Sequence, residues 1–428
     1  MPASTMAFAS LDLHPGYAQR LKLKSIGDRI VNAGGKSYYS ADKDIEELPA
    51  LVAPSLTATS TRDWFGGRIS MGLWQQGDTP VTLSALASDD DAKARTSLTK
   101  AQQDAGGPGK LGFTLSDGYV LVAKADKDAQ QAVEAAATEA KAHPLGKRPE
   151  YRSAVDKLDG DHLLTAWVNM GDLGKVTTAA MMAVPELKAD PAQRAMITKQ
   201  LATMTGQLAV GGQATDDGLE IALRGVGQPV RPASTDNACK DLDALPAGSA
   251  IAVATSVPAE VMKQAATAAQ KSAAGAAGVQ DPRAVAMINK LLAQLANVRT
   301  VVGAAKFDGE KMGGFQLNLG MVNPAAAATL NALLRPFLPS TGATMTTSGA
   351  TATFTAKGLG AGHLSDSAEY RKVMAGMPAK ADFAMYADLA ALPHSGADTA
   401  QLAAFTGFGG AVDQQDDEIV GLFRLGVK

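Results

Sequence analysis

Apolar and polar residues alternate over short runs along much of the chain, most plainly in Arg68 to Trp74, Val81 to Ala87, Leu111 to Ser116 and Tyr119 to Lys124. A period of two puts every second side chain on one face, so each run reads as a β-strand. The runs come in pairs, joined by residues that tolerate a tight bend or a positive φ: Gln76-Gly77-Asp78, Asp117-Gly118, Asp217-Gly218 and Asp308-Gly309. Such pairs are hairpins, and hairpins build antiparallel sheet.

Alanine-rich segments of helical character separate the hairpins: Ala92 to Gln103, Ala129 to Lys141 and Ala325 to Leu334. Each is preceded by a residue able to accept from free backbone N–H groups, namely Asp90 or Asp91, Asp126 or Asp128, and Asn323 followed by Pro324. Two longer stretches, Lys175 to Met204 and Ala259 to Leu295, are interrupted by Pro185 and Pro191 in one and by Gly275, Gly278 and Pro282 in the other. Each predicts a pair of helices. A sheet must bury a face and helices are the available cover, so the pattern predicts an α+β fold with helices on one side of antiparallel sheet.

The pattern also repeats. Thr205-Gly206-Gln207-Leu208-Ala209-Val210-Gly211-Gly212, Asp216-Asp217-Gly218 and a strand ending Arg224-Gly225-Val226 return about 200 residues later as Thr406-Gly407-Phe408-Gly409-Gly410, Asp416-Asp417-Glu418 and a strand ending Arg424-Leu425-Gly426-Val427. Glu150-Tyr151-Arg152 before the strand Leu163 to Met170 is matched by Glu369-Tyr370-Arg371 before Asp382 to Tyr386. Pro2-Ala3 and Pro246-Ala247 each lead into an alternating strand. Three landmarks in one order predict two homologous halves, residues 1–228 and 245–428, joined by a linker at 229–244.

With 428 residues, 46% hydrophobic and 19% charged, the chain is long enough for two folded domains. Its 40 basic and 43 acidic side chains leave a formal charge of −3, which gives no electrostatic footprint for nucleic acid. Cys239 is the single cysteine, so the chain can form no internal disulfide and no thiolate metal cluster; its polar, proline-flanked surroundings read as linker. No window approaches the roughly 18 to 20 apolar residues of a membrane span.

The run Asp63-Trp64-Phe65-Gly66-Gly67-Arg68, the helix opening Ser88-Asp89-Asp90-Asp91-Ala92, the first strand ending Leu11-Asp12-Leu13 and the Glu150-Tyr151-Arg152 segment together resemble a bacterial family, domain of unknown function 3352. The resemblance spans most of the first half and, through the repeat, much of the second. It implies an extracytoplasmic domain tethered by one N-terminal transmembrane helix. The chain departs from that pattern by starting directly on the strand Met6 to Leu13, so either an anchor encoded upstream is expected or this member is cytosolic; the family lends no catalytic residues.

Candidate chemistry is sparse. His14, His143, His162, His363 and His394 fall one per element with no ligand spacing, and Gly66-Gly67 and Gly409-Gly410 lead into strands, where a bulge or tight turn explains them better than a phosphate loop. Asp89-Asp90-Asp91 lacks the spacing of a calcium loop and reads as helix capping. No metal, cofactor or catalytic residue is therefore assigned. Trp64, Trp74, Met181, Met182 and Met196 are the candidate ligand-binding set, because methionines and aromatics line adaptable apolar grooves. The expected function is a non-catalytic cell-envelope domain that binds a partner or an apolar ligand such as a lipid. A hydrolase whose site assembles only in three dimensions, and a structural spacer, remain the alternatives.

Overall fold

The structure, a computed structural model, describes residues 1–33, 48–77, 79–183, 195, 198–199, 201–230, 237–275, 282–338, 342–356, 358–393 and 403–428. Within these the chain is mixed α+β and divides into two compact units. One comprises Met1–Val31, Lys36–Pro232 and Gln415–Val420; the other comprises Asn32–Gly35, Ala233–Gln414 and Gly421–Lys428.

The first unit runs β1 (Thr5–Asp12), α1 (Tyr17–Asn32), α2 (Pro49–Val52), α3 (Ala58–Thr61), β2 (Phe65–Gln76), β3 (Thr79–Ser88), α4 (Asp91–Asp104), β4 (Leu111–Ser116), β5 (Tyr119–Lys124), α5 (Ala129–Ala142), α6 (Pro149–Val155), β6 (Leu164–Asn169), α7 (Met170–Ala183), β7 (Gln207–Ala214) and β8 (Gly218–Val226). Its strands lie in the order β8-β7-β6-β1-β2-β3-β5-β4, with antiparallel neighbours. At the β4–β5 turn Asp117 and Gly118 hold φ of 52° and 75°, the pair of positive values a two-residue hairpin loop needs. The β2–β3 register shifts between Phe65 and Ile69, which puts an irregularity at Gly66-Gly67.

The second unit runs α8 (Ala238–Asp243), β9 (Ile251–Ser256), α9 (Ala259–Gly275), α10 (Pro282–Leu295), β10 (Val298–Asp308), β11 (Lys311–Met321), α11 (Pro324–Leu334), β12 (Thr344–Ser348), β13 (Thr351–Thr355), α12 (Ala368–Met374), β14 (Phe383–Asp388), β15 (Phe405–Gln415) and β16 (Glu418–Val427). Its order, β12-β13-β11-β10-β9-β14-β15-β16, is that of the first unit with each strand replaced by its successor in the later half. The registers agree as well. Ala7 faces Val168 and Leu11 faces Leu164, as Ile251 faces Ala387 and Thr255 faces Phe383. Ser10 faces Ser70 as Ala254 faces Val302, and Ser116 faces Tyr119 as Ser348 faces Thr351. Even the isolated bridge Pro2 to Pro144 has its counterpart in Pro246 to His363.

Helices start where a side chain or loop carbonyl meets their first N–H groups. The Asp90 carboxylate accepts from Ala92 N and Lys93 N, both at 3.1 Å, and Asn323 accepts from Ala326 N at 2.8 Å. The α5 start departs from expectation: Asp128 sits at φ 61° with no side-chain cap, and Ala129 N and Gln130 N donate instead to the carbonyls of Gly109 and Pro108.

Helices cover both faces of the first unit's sheet, not one. Ile69, Leu86, Val120 and Val122 pack with Leu98 of α4. The alternate residues of the same strands, Leu83, Ala85, Leu121 and Ala123, pack with Val133 and Ala136 of α5. The nearly unbroken apolar run Val120 to Ala123 is what a strand buried on both faces requires.

The segment expected as linker supplies α8. Asn237 caps it, accepting from Cys239 N and Lys240 N at 3.1 and 3.3 Å, and Ala238 and Leu242 lie in the second unit's core. Residues 231–236 of that segment, Asp78, Pro185, Pro191, Gly278 and His394 lie outside the described residues.

Candidate functional site

The expected groove residues do not come together. Trp64 is buried with Leu86 and Leu98, its indole N–H donating to the Ser60 carbonyl at 2.8 Å. Trp74 belongs to the cluster on the opposite face. Its N–H donates to Ser4 Oγ at 2.8 Å and to Glu139 Oε2 at 3.0 Å, while Ser4 donates to Glu139 Oε1 through both its N and its Oγ. Burial pushes the Glu139 carboxyl up, but the hydrogen bonds from Ser4 and Trp74 outweigh it and hold the group below its usual value. This knot ties α5 to β1 and β2. Met181 is half-buried on α7; the Met182 side chain and Met196 lie outside the described residues.

A cleft of about 330 Å³ opens instead between α5 and the sheet of the first unit. Its floor is a row across four neighbouring strands, Ser10, Ser70, Ala85 and Leu121, each directly opposite the next. Phe8 extends the floor along β1, and Ala137 and Ala140 of α5 form the roof. The volume falls at the lower end of the roughly 300–1,000 Å³ typical of small-molecule sites.

One flank of the cleft is apolar and the other polar. Ser70 donates to Ser10 at 2.8 Å, so the hydroxyls in the floor satisfy one another. Next to them Arg68 pairs with Asp12, and that hydrogen bond, against partial burial, raises the guanidinium further above its ordinary range; Tyr119 adds to the effect. Asp117 and Lys141 complete the rim, and Lys141 has no ion-pair partner among the described residues. Sequence reasoning missed this set. Ser10 and Ser70 interrupt apolar faces of their strands, but only the β1–β2 register shows that they meet.

Beside Phe8, Tyr151 of α6 stands edge-on to it at 6.0 Å and edge-on to Trp167 at 5.5 Å. Arg148 lies over Trp167 at 5.3 Å and donates to the carbonyls of Ala3 and Thr5, both at 3.0 Å, and to Asp172 at 2.9 Å. Burial raises the Tyr151 hydroxyl's pKa, with Asp156 adding to it.

The described histidines stay apart: His14 follows β1, His143 ends α5, His162 precedes β6 and His363 opens a 3-10 turn, Leu364–Asp366. Among the described residues no group of three or more His, Cys, Asp or Glu side chains is placed to hold a metal ion. Among them too, no helix is long and apolar enough to cross a membrane. Comparison with protein-family models, with curated proteins and with solved structures finds no match.

Proposed function

We propose that the two units are homologous copies of one α+β unit, and that the chain is a non-catalytic binding module of the cell envelope whose working site is the cleft beside α5. The common strand order and registers support the duplication. So does the edge-on aromatic pair Tyr370–Tyr386 at 5.1 Å, which occupies the place of Tyr151–Trp167. The extracytoplasmic setting rests on the resemblance of Asp63 to Arg68 and its companion segments to domain of unknown function 3352.

The cleft carries the binding reading. A cleft of about 330 Å³ between a helix and a sheet has room for a small ligand. The second unit passes from β13 to the 3-10 turn at Leu364 with no helix between them among the described residues, so α5 and its cleft distinguish the first unit from its copy. Phe8, Leu121 and Ala137 offer an apolar flank, while Tyr119, Lys141, Asp117 and Arg68, the last paired with Asp12, offer hydrogen bonds and charges of both signs. That pairing suits an amphipathic occupant.

Native mass spectrometry of the chain purified from its own host should find a retained ligand, and Ala140→Trp, which fills the cleft from its roof, should remove it with little change in stability. A chain that retains nothing, and an Ala140→Trp variant destabilised by about 1–3 kcal/mol as overpacked cores are, would return the cleft to ordinary packing.

A further inference from the structure

We propose that two copies of this chain pair through β12, strand against strand about a twofold axis, so that the open end of the second unit's sheet becomes a weak, dissociable dimer seam. The inference goes beyond the cleft of the first unit and does not depend on it.

The hairpins β4–β5 and β12–β13 end their sheets at matching places. In an antiparallel pair, residues that exchange hydrogen bonds alternate with residues whose N–H and C=O point away from the partner strand. Bonds from Met321 N to the Ala350 carbonyl and from Ala356 N to the Phe315 carbonyl fix the phase, so Ala352 and Phe354 bond toward β11 while Thr351, Thr353 and Thr355 bond toward β12. Met345 and Thr347, opposite Phe354 and Ala352, therefore turn their backbone groups outward. Their counterparts in β4 are Phe113 and Leu115. There the edge is closed. Gln130 of α5 accepts from Phe113 N and donates to the Phe113 carbonyl, both at 3.1 Å. Gln102 of α4 donates to the Leu111 carbonyl at 2.9 Å, and Leu111 N donates to the Gly107 carbonyl. Leu115 alone is left, too little for a seam.

The second unit has no helix in the place of α5 among the described residues, and no described side chain bonds the outward groups of Met345 or Thr347. Proteins protect exposed edges with charge, proline or a cover. Thr344-Met345-Thr346-Thr347-Ser348 has no charge and no proline, and four of its five residues are exposed. A second copy fits this edge with nothing left over. About a twofold through Thr346, Met345 of one chain meets Thr347 of the other, and each such pair exchanges two hydrogen bonds, which satisfies every outward group of both strands. The seam sets no charge against another and places Thr346 against Thr346, a favourable cross-strand pair. Thr353 and Asn318 stand beside it where the first unit has Leu121 and Ala85 under α5, so that face is polar and needs no apolar cover. On the other face Met345 packs with Leu330 of α11, which holds the strand in place. So short a seam falls far below the roughly 1,200–2,000 Å² of a stable interface, so the dimer forms only as concentration rises.

Sedimentation velocity of the full chain should show a monomer–dimer equilibrium whose dimer fraction grows with concentration. Thr346→Lys sets two ammonium groups opposite each other across the seam and should raise the dimer Kd several-fold, as should Thr346→Glu with its two carboxylates. An equimolar mixture of the two variants should recover the dimer at least to the level of the parent chain, which also shows that both variants are folded. Thr347→Pro removes an outward N–H without touching the ladder to β13, so it should weaken the dimer with little change in melting temperature. A chain that stays monomeric up to about 1 mM would overturn the self-pairing and leave the edge to a strand of another protein. A dimer indifferent to both charged variants, or charged variants that stay monomeric when mixed, would place the contact elsewhere and overturn it as well.

Discussion

The Tyr370 hydroxyl donates to the Asp243 carboxylate at 2.8 Å, joining α12 to α8 through a residue, Tyr370, that is only 2% exposed. Burial and the carboxylate together push the Tyr370 pKa far above the ordinary phenol range, so the donor is never lost to titration near neutral pH. Tyr370→Phe strips a partly buried carboxylate of this partner and should cost about 1–3 kcal/mol in urea denaturation. Tyr151→Phe, at the matching place in the first unit, removes a hydroxyl with no protein partner among the described residues and should stay within about 0.5 kcal/mol. Equal costs at the two positions would mean that the hydrogen bond to α8 contributes nothing.

Gly112 of β4 is a point at which the fold tolerates no side chain. A Cβ there would lie 2.3 Å from the Ala129 carbonyl oxygen and 2.5 Å from Gln130 Cα, both backbone atoms at the start of α5. Nothing at that contact can rotate away, so Gly112→Ala must lift the helix that roofs the cleft. We expect a loss of about 1–3 kcal/mol together with faster amide exchange along α5. Gly146→Ala, where nothing lies within 4 Å, is the control and should be neutral. An unchanged exchange profile in Gly112→Ala would show that α5 is not held at this distance.

These contrasts mark what the residue pattern discloses. The Asp117-Gly118 hairpin is legible because its turn chemistry is local, and the Asn323 cap is legible for the same reason. The placing of β1 between β6 and β2 is not, because it depends on pairing between residues far apart in sequence. Helix α8 was hidden by its charged residues: of its six residues Ala238 and Leu242 are buried in the core, with Cys239 packed against it. Trp64 and Trp74 look like one aromatic site along the chain, yet they flank β2 on opposite faces of the sheet. The cleft could not be read at all, since Ser10, Ser70, Ala85 and Leu121 become neighbours only through three strand registers.

His162 gives the first unit an acid-sensitive point. Both ring nitrogens are buried without a hydrogen-bond partner among the described residues, and the ring leaves no room for a Cβ at Gly211, whose nearest approach would be 2.6 Å. Burial lowers the pKa, against the pull of Asp161, Glu220 and Asp159. A histidine whose folded pKa lies below the unfolded value of about 6.5 binds its proton more readily in the unfolded chain. Its contribution is thus full above that pH and is lost as pH falls through the folded pKa. The melting temperature of the parent chain should drop between pH 7.5 and pH 5 more steeply than that of His162→Gln. Parallel curves for the two proteins would remove His162 as the source.

Cys239 tests whether α8 belongs to the folded second unit, because a thiol in a linker and a thiol on a packed helix react at different rates. Its Sγ lies 3.9 Å from the Pro378 carbonyl and packs against the core that holds Leu242 and Tyr370. Burial pushes the thiol from 9.0 up to about 11, with Asp243 and Asp413 adding to the shift. Alkylation proceeds through the thiolate, so at pH 8 the folded chain should present about a hundredfold less reactive species than the unfolded chain. Iodoacetamide should therefore label Cys239 slowly under native conditions and rapidly in guanidinium chloride. Tyr370→Phe, by loosening the anchor of α8, should raise the native rate without reaching the unfolded one, since Leu242 and Leu245 still hold the helix down. Native labelling as fast as that of the unfolded chain would put residues 238–243 outside the packed unit.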